Sequence, residues 1–281
     1  MKTLYISDLD GTLLSTDSRV SERSAEIISD LTAQGTLITV ATARTPATVV
    51  PLLSATRTAP PAIVMTGTAM WNRHEAAFSH THFLPVADVE QTIELCRSCG
   101  VHPFVYMMAE TGHTLEVFHA APKLNKAERS FYDERAHLTL KRFHLGTPAP
   151  KDAYNRTLLL YAMGEAEAIK RAYESFCRRT ECSVSIYPDI FNPEIYNIEV
   201  IPPGVTKASA IKQLKEETGA ERLVVFGDNL NDLSMLAMAD VAVAVGNALP
   251  EVKEAADVVI EPNYTDSVAR FIAKDFEING K

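Results

Sequence analysis

Short apolar segments alternate with amphipathic helical segments at both ends of this 281-residue sequence. The segment 21–34 begins at a candidate N-cap, Ser21, carries apolar residues on one face and ends before Gly35, which predicts a helix. Strands that alternate with helices form right-handed crossovers, and these give a parallel sheet with helices on both faces. The predicted strands are 4–7, 36–41, 62–65, 197–200, 222–226, 241–245 and 258–260. The sequence therefore predicts an α/β fold with a doubly wound parallel sheet.

The middle of the sequence has a different pattern. Residues 84–188 contain most of the histidines, cysteines and tyrosines, and two sets of strands and helices lie on either side of the polar segment 120–155. Such a change in composition supports a separate small domain. We therefore expect a core domain of residues 1–83 and 189–281, with an inserted α+β domain of residues 84–188.

Two aspartates, Asp8 and Asp10, follow the first predicted strand directly. Alternate side chains of an extended chain share a face, so both carboxylates can point to one place. Crowded carboxylates repel each other, and a hard dication such as Mg²⁺ would relieve that repulsion. The pair offers an ionised nucleophile beside a group that can hold and release a proton. An acidic turn after an edge strand is the alternative interpretation of the pair alone.

Further polar residues are expected where strands end, because open α/β sheets bind their ligands at the carboxyl ends of strands. Thr42 follows the second strand, and the segment 227–232, Gly-Asp-Asn-Leu-Asn-Asp, follows a later one. Lys207 opens a predicted helix, where a lysine is unfavourable for the helix dipole, and this favours a functional role. For Thr42, Asp228 and Asn231, capping of a strand or a helix is an open alternative.

Composition and charge restrict the classes of function. A net charge of −9 argues against a nucleic-acid partner, which would require clustered Lys and Arg. No window approaches 18 apolar residues, so no membrane span is expected, and without the apolar segment of a signal peptide we expect a cytoplasmic protein. Cys96 and Cys99 lie in a helical pattern that favours buried core side chains. A zinc site that also uses Cys177 and Cys182 is left open.

Four segments carry the candidate polar residues, in the order Asp8-Leu-Asp10-Gly11-Thr12, Thr42, Lys207 and Gly227-Asp228-x-x-Asn231-Asp232. Together they resemble the haloacid dehalogenase (HAD) superfamily of phosphohydrolases. The insert between the second and third segments resembles the large α+β cap of the Cof-type subfamily, and segments 198–207 and 245–248 are similar to that subfamily as well. The resemblance covers essentially the whole chain and implies a Rossmann-like core with an inserted cap.

The resemblance implies a Mg²⁺-dependent phosphatase that works through an aspartyl-phosphate. Asp8 would be the catalytic nucleophile, and Asp10 would protonate the leaving oxygen and then activate water. The metal would be bound by Asp8, Asp228 and the backbone carbonyl of Asp10, and Asp232 would support these ligands from the second shell. Phosphoryl transfer depends mostly on positioning and charge stabilisation, which suits this set of residues.

The resemblance also implies a set of groups that bind the phosphate of the substrate. These are Thr42 and Lys207, the residue Ala43 beside the phosphate, Asn231, and backbone N–H groups of the segment 9–12, which includes Leu9 and Gly11. For Arg44, a solvated side chain is favoured over contact with the substrate or its phosphate. The sequence departs from the usual family pattern at Ala43, where Gly is commoner, and at 66–68, where Asn-Gly-Ala is usual.

Three functions follow from these observations, and the first is favoured. It is a phosphatase of small phosphorylated metabolites, with sugar phosphates as the preferred class, in which the cap closes over the site. The second is a phosphotransferase, such as a hexose phosphomutase, that uses the same intermediate. The third is a non-catalytic phosphate-binding regulator, which the presence of Asp8, Asp10 and Lys207 argues against. The sequence gives no indication of oligomeric state.

Overall fold

The structure, a computed structural model, describes residues 1–177, 180–189 and 192–279. The strands are β1 (Thr3–Ser7), β2 (Leu37–Val40), β3 (Ala62–Val64), β4 (Ala69–Asn72), β5 (Ala77–Ser79), β6 (Phe104–Met108), β7 (Leu115–His119), β8 (Lys141–Leu145), β9 (Thr157–Glu165), β10 (Ser183–Pro188), β11 (Ile195–Ile201), β12 (Arg222–Gly227), β13 (Val241–Ala244) and β14 (Val258–Val259). The helices are α1 (Glu22–Ala33), α2 (Pro46–Leu52), α3 (Val86–Ser98), α4 (Lys126–Asp133), α5 (Ala166–Phe176), α6 (Lys207–Thr218), α7 (Leu233–Leu236), α8 (Pro250–Ala255) and α9 (Ser267–Asn279). Of the helices formed by described residues, none has the length and apolar character needed to cross a membrane.

The chain divides into two units. The core unit comprises residues 1–79 and 206–281, and the insert unit comprises residues 80–205. The predicted return to the core at residue 189 differs from this division, because β11 hydrogen bonds with β9 and β10 in the sheet of the insert unit. The strand predicted near residues 197–200 is therefore present, but its place in the core sheet was wrong.

The core unit is built on one parallel sheet with the strand order β14-β13-β12-β1-β2. Every pair of neighbours in it is parallel, and Ser7 of β1 lies opposite Phe226 of β12. All five residues of β1 are buried, as expected for a central strand that is covered on both faces. Helix α1 packs against α9, and α6 packs against α7. The predicted α/β fold with a parallel core sheet is confirmed.

The third predicted strand, 62–65, has a different place from the one expected. Strand β3 pairs with β4 in a small antiparallel sheet that also contains β5, and one parallel bridge from Ala41 to Ile63 connects it to β2. The backbone of Met65 and Thr66 has φ values of 48° and 59°, in the left-handed region. This reversal ends β3 after three residues and returns the chain alongside it.

The insert unit contains a six-stranded sheet with the order β10-β11-β9-β6-β7-β8. Neighbouring strands in this sheet are antiparallel, except that β7 and β8 are parallel. Helix α5 packs against β9, β10 and β11. Cys96 and Cys182 belong to the hydrophobic core of this unit. All four cysteines are free, and over the described residues none of them joins a group of potential metal ligands. The insert is thus an α+β layer, as predicted.

Candidate active site

Three carboxylates of the core unit meet where β1 and β12 end. These strands are parallel neighbours, and the Asp8 N–H donates to the carbonyl of Phe226 at 3.0 Å, so Asp8 and Asp228 leave the same edge of the sheet. Asp8, Asp228 and Asp232 each place a carboxylate oxygen within 4.8 Å of the others. Within the described part of the chain, this is the group of side chains that could hold a metal ion, and its oxygen ligands are those that Mg²⁺ prefers.

Lys207 joins two of these carboxylates. Its Nζ lies 2.6 Å from Oδ1 of Asp8 and 2.8 Å from Oδ1 of Asp232, and its side chain is only 1% exposed. It is the first residue of α6, because the Thr206 side chain accepts a hydrogen bond from the N–H of Ser209 and caps the helix. The helix dipole disfavours a lysine there, and the two buried carboxylates compensate for it.

The site carries more negative charge than one lysine can neutralise. Burial raises the pKa of Asp8 to about 7; Lys207 opposes this rise, and the charges of Asp232 and Asp228 add to it. Burial likewise raises the pKa of Asp228 to about 6. Burial alone would lower the pKa of Lys207, but the carboxylates of Asp8 and Asp232 outweigh it, and the pKa is raised. The metal-free site therefore retains protons near neutral pH, and a dication could replace them.

Asp232 also holds the loop that carries Asp228. Its Oδ2 accepts hydrogen bonds from the N–H groups of Asp228 and Asn229 at 3.0 and 3.2 Å, and its side chain is completely buried. Gly227 makes this possible, since a Cβ there would lie 2.7 Å from the Cβ of Asp232. The structure thus places Asp232 within the carboxylate group and gives it a structural contact with the loop as well.

Thr12 and Gly11 fix the carboxylate of Asp228. The buried Thr12 hydroxyl donates to Oδ1 of Asp228 at 2.8 Å. Gly11 has φ +78°, and a Cβ at this position would lie 2.4 Å from Oδ2 of Asp228. Thr12 belongs to the first of the four segments, and no role was predicted for its side chain. The sequence signal for such a role was a hydroxyl residue that directly follows the glycine after the Asp-x-Asp pair.

We expect Thr12→Val to weaken the Mg²⁺ affinity of the protein about tenfold or more, because side chains that hydrogen bond to metal ligands, as Thr12 does to Asp228, typically contribute that much. Loss of the hydroxyl removes the hydrogen bond that lowers the pKa of Asp228, so protons compete better with the metal. A Mg²⁺ titration followed by calorimetry measures the change. Thr39→Val is the matched control, since it removes a buried hydroxyl that donates to the carbonyl of Pro61. Equal Mg²⁺ affinities for the two variants would contradict the assignment of Thr12.

Two asparagines hold the loop after β1 and were missed as site residues. The Asn247 amide donates to the carbonyl of Gly11 at 2.7 Å, and its Oδ1 accepts from the N–H of Asn263 at 2.9 Å. The Asn263 amide in turn donates to the carbonyl of Leu14 at 2.7 Å. Asn247 lies in one of the segments that resemble the family. Its role in holding this loop could not be predicted from sequence, because Asn247 and Gly11 are 236 residues apart and meet only in the folded protein.

Asp10 has a different environment from the other acidic residues. Its carboxylate pairs with Arg44, whose Nε and Nη2 lie 2.7 and 2.6 Å from the two oxygens. Within the described residues, the group of potential metal ligands does not include its side chain. The interpretation of Arg44 as a solvated side chain was therefore wrong, since the end of β2 places it against the loop after β1.

The remaining predicted phosphate-binding residues lie around this edge of the sheet. The Thr42 hydroxyl accepts from the N–H of Arg44 at 3.1 Å and is buried, so it acts as the strand-end cap that the sequence left open. Ala43 and Asn231 are exposed, and the side chain of Leu9 is completely buried. Their predicted contact with phosphate stays a prediction.

The turn after β3 positions the start of α6. Gly67 has φ +97°, and a Cβ there would lie 2.3 Å from the carbonyl oxygen of Thr206, so only glycine allows this approach. The preceding residue, Thr66, adopts φ +59°, which a β-branched residue rarely does. Asn, the usual family residue at this position, tolerates the left-handed region better.

Comparison with known proteins identifies the family. Residues 5–272 match the family model described as haloacid dehalogenase-like hydrolase. The chain belongs to this family. The resemblance seen in the four segments is therefore confirmed over nearly the whole length, and the carboxylates and the lysine described above form the candidate active site of a HAD hydrolase.

Relatives of this HAD hydrolase include named phosphatases. It is 28% identical to the pyridoxal phosphate phosphatase YbhA of Escherichia coli over 274 residues, which cover 94% of this chain and 95% of the relative. It is 25% identical to the 5-amino-6-(5-phospho-D-ribitylamino)uracil phosphatase YitU of Bacillus subtilis, with 98% of both chains covered. A HAD-like hydrolase structure from Bacteroides thetaiotaomicron superposes with a TM-score of 0.81 at 25% identity, covering 98% of this chain and all of the other. The predicted enzyme class, a HAD-type phosphatase, is confirmed.

Proposed function

We propose that this HAD-type phosphatase hydrolyses phosphomonoesters of small metabolites through an aspartyl-phosphate on Asp8. The observation that carries the proposal is the convergence of Asp8, Asp228 and Asp232 at one edge of the sheet, where Lys207 pairs with Asp8 and Asp232. A carboxylate that attacks a phosphate requires cations to offset the repulsion, and this site offers a buried ammonium together with a group of metal ligands.

The geometry suggests which oxygen of Asp8 reacts. Lys207 pairs with Oδ1, so we assign Oδ2 as the attacking oxygen. In the first step, a bond forms between Oδ2 and phosphorus, the bond from phosphorus to the leaving oxygen breaks, and Asp10 gives that oxygen a proton. In the second step, water attacks phosphorus, its proton passes to Asp10, and the bond between Asp8 and phosphorus breaks.

The donor set fits Mg²⁺, because it consists of hard carboxylate oxygens. We propose that Asp8, Asp228 and the backbone carbonyl of Asp10 hold the ion, while Asp232 orients the loop of Asp228 through its two N–H contacts. When bound, Mg²⁺ would supply charge that neutralises the phosphate during transfer. Thr42, Ala43, Asn231 and the backbone of the segment 9–12 are proposed to contact the phosphoryl group, together with Lys207.

The substrate class is proposed to be a small phosphorylated metabolite with an alcohol leaving group. The names of the relatives denote phosphatases of pyridoxal phosphate and of 5-amino-6-(5-phospho-D-ribitylamino)uracil, both small phosphorylated molecules. We place sugar phosphates among the first compounds to test. Since all the proposed chemical groups lie in the core unit, we propose that the insert unit supplies substrate specificity.

A panel of phosphorylated metabolites, assayed with Mg²⁺ and with EDTA, tests this function. We expect release of inorganic phosphate from at least one sugar or cofactor phosphate, and a fall of about 10²-fold or more on removal of the metal, because the metal is expected to contribute several kcal/mol of charge stabilisation. Added Mg²⁺ should restore the activity. Release that needs a bisphosphate activator would indicate the phosphomutase instead, and a panel without any hydrolysis would contradict the proposal.

A further inference from the structure

Both oxygens of the Asp10 carboxylate, the group proposed to protonate the leaving oxygen, are engaged by one side chain in the structure. Both of its oxygens are bound by Arg44, at 2.6 and 2.7 Å, and the Asp10 side chain is 53% exposed. A proton donor to the leaving oxygen must lie within hydrogen-bonding distance of that oxygen. Release of Asp10 from Arg44 would free both oxygens for this proton transfer.

The backbone of Arg44 is fixed, whereas its side chain can move. The Arg44 N–H donates to the hydroxyl of Thr42 at 3.1 Å, and its carbonyl accepts from the N–H of Met65 at 3.0 Å. The guanidinium lies at the end of a long side chain, and it contacts Asp10 because β1 and β2 are adjacent parallel strands. A change of partner by this guanidinium requires rotation of its side chain, with no movement of the sheet.

The chemistry of the guanidinium allows such an exchange. Its planar set of donors matches both carboxylate and phosphate oxygens, and ion pairs exposed to water are weak. The hydrogen bonds that Arg44 donates to Asp10 are the main reason that the pKa of Arg44 is raised, and the charge of Asp8 adds to them. The guanidinium is thus within the electrostatic influence of the nucleophile, where the phosphoryl group has to bind.

We propose that Arg44 is a positioning residue that holds the Asp10 carboxylate in the free enzyme and transfers its guanidinium to phosphoryl oxygens when substrate binds. Binding of the phosphate then releases Asp10, which can turn towards the reacting oxygen. Asp10 and phosphate compete for one guanidinium, so each weakens the binding of the other. The inference rests on the proposed function, because it takes Asp8 as the site of phosphoryl transfer.

A double-mutant cycle on the binding of inorganic phosphate tests this competition. Calorimetry in the presence of Mg²⁺ would compare the full-length protein with Asp10→Ala, Arg44→Ala and the double variant. We expect Arg44→Ala to weaken phosphate binding about tenfold or more, the value of a charge-assisted hydrogen-bond pair. Asp10→Ala should tighten binding about two- to fivefold, the value of an exposed ion pair. In the Arg44→Ala background, Asp10→Ala should have no such effect.

The cycle separates competition for Arg44 from simple repulsion between Asp10 and phosphate. Repulsion would make Asp10→Ala tighten phosphate binding by the same factor with and without Arg44, and that result would overturn the proposal. Unchanged phosphate affinity in Arg44→Ala would overturn it as well. Because phosphate binding needs no turnover, the cycle can be measured even if no compound in the substrate panel is hydrolysed. If a substrate is hydrolysed but the effects of the two substitutions on phosphate binding are additive, the proposed function stands and only the role of Arg44 is rejected.

Two controls distinguish positioning from a structural effect. Arg222 makes a similar two-bond pair with Asp275 in the core unit, at 2.5 and 2.9 Å, and Arg222→Lys should leave phosphate affinity unchanged. Added guanidinium should partly restore kcat/KM to Arg44→Ala, since the free cation can occupy the vacated place, and it should not raise kcat/KM of Arg222→Lys. Arg44 would have only a structural role if added guanidinium did not restore kcat/KM and if the effects of the two substitutions on phosphate affinity were additive.

Discussion

The Asp8→Asn variant should lose at least about 10⁴-fold in kcat, because removal of a covalent nucleophile leaves only the positioning of substrate and water. The change conserves the shape of the side chain, and Lys207 retains Asp232 as its partner at 2.8 Å. Turnover of the best substrate in the panel measures the effect. Mass spectrometry of the protein, quenched during turnover, should detect a phosphoryl adduct in the wild type and none in the variant.

The stability of Asp8→Asn provides a second test. The pKa of Asp8, raised to about 7, lies above that of an unfolded aspartate, so ionisation of this carboxylate lowers the stability of the folded protein as the pH rises from about 4 to about 7, and the full loss is present above pH 7. The metal-free variant should therefore unfold at the same or a higher temperature than the wild type at pH 8, and this advantage should be smaller at pH 5. Asp17→Asn, a change at an exposed aspartate of the core unit, is the matched control and should retain full activity. Near-wild-type hydrolysis by Asp8→Asn would refute the assignment of the nucleophile.

Lys207→Ala should reduce kcat/KM by about 10²–10³-fold, the usual effect of removing one preorganised group that stabilises charge. It should also lower the free energy of unfolding of the metal-free protein by about 3 kcal/mol or more, because it leaves two buried carboxylates without their cation. The destabilisation should be larger at pH 8 than at pH 5, since proton binding relieves the carboxylates at low pH. Steady-state kinetics and chemical unfolding at the two pH values measure both effects.

Lys215→Ala is the matched control for this variant. Lys215 belongs to the same helix, and its pair with Asp240 at 3.0 Å is exposed. We expect its removal to change stability by less than about 1 kcal/mol and activity not at all. If Lys207→Ala behaved like this control, the lysine would have no contact with the phosphoryl group and no part in holding the carboxylates.

The positions of the main site residues could be predicted because local signals mark them. Asp8 and Asp228 follow apolar strands directly, and the carboxyl ends of parallel strands meet at one edge of a sheet. The partners of Lys207 could not be predicted in the same way, because Asp8 and Asp232 lie 199 and 25 residues away in sequence. The ion pair between Asp10 and Arg44 was not predicted, because it forms only when β1 and β2 lie side by side in the sheet.

Strand pairing explains the differences in the fold. Five consecutive residues at the end of β11 are buried, which is also typical of a central strand of a parallel sheet, so burial alone could not assign β11 to the insert unit. Only its hydrogen bonds with β9 and β10 do so. Strand β3 has the apolar composition of a strand of the parallel core sheet. It belongs to the small antiparallel sheet instead, because the left-handed backbone at Met65 and Thr66 reverses the chain.

The close approach of Gly67 to Thr206 has an evolutionary consequence. The chain re-enters the core unit at Thr206, and the contact with Gly67 together with the ion pairs of Lys207 locates that point from within the core unit. The contacts that locate Lys207 thus come from the core unit and do not involve the insert unit, residues 80–205. If the insert unit supplies substrate specificity, as proposed, exchange of that unit would change the substrate and leave the carboxylates and the lysine in place.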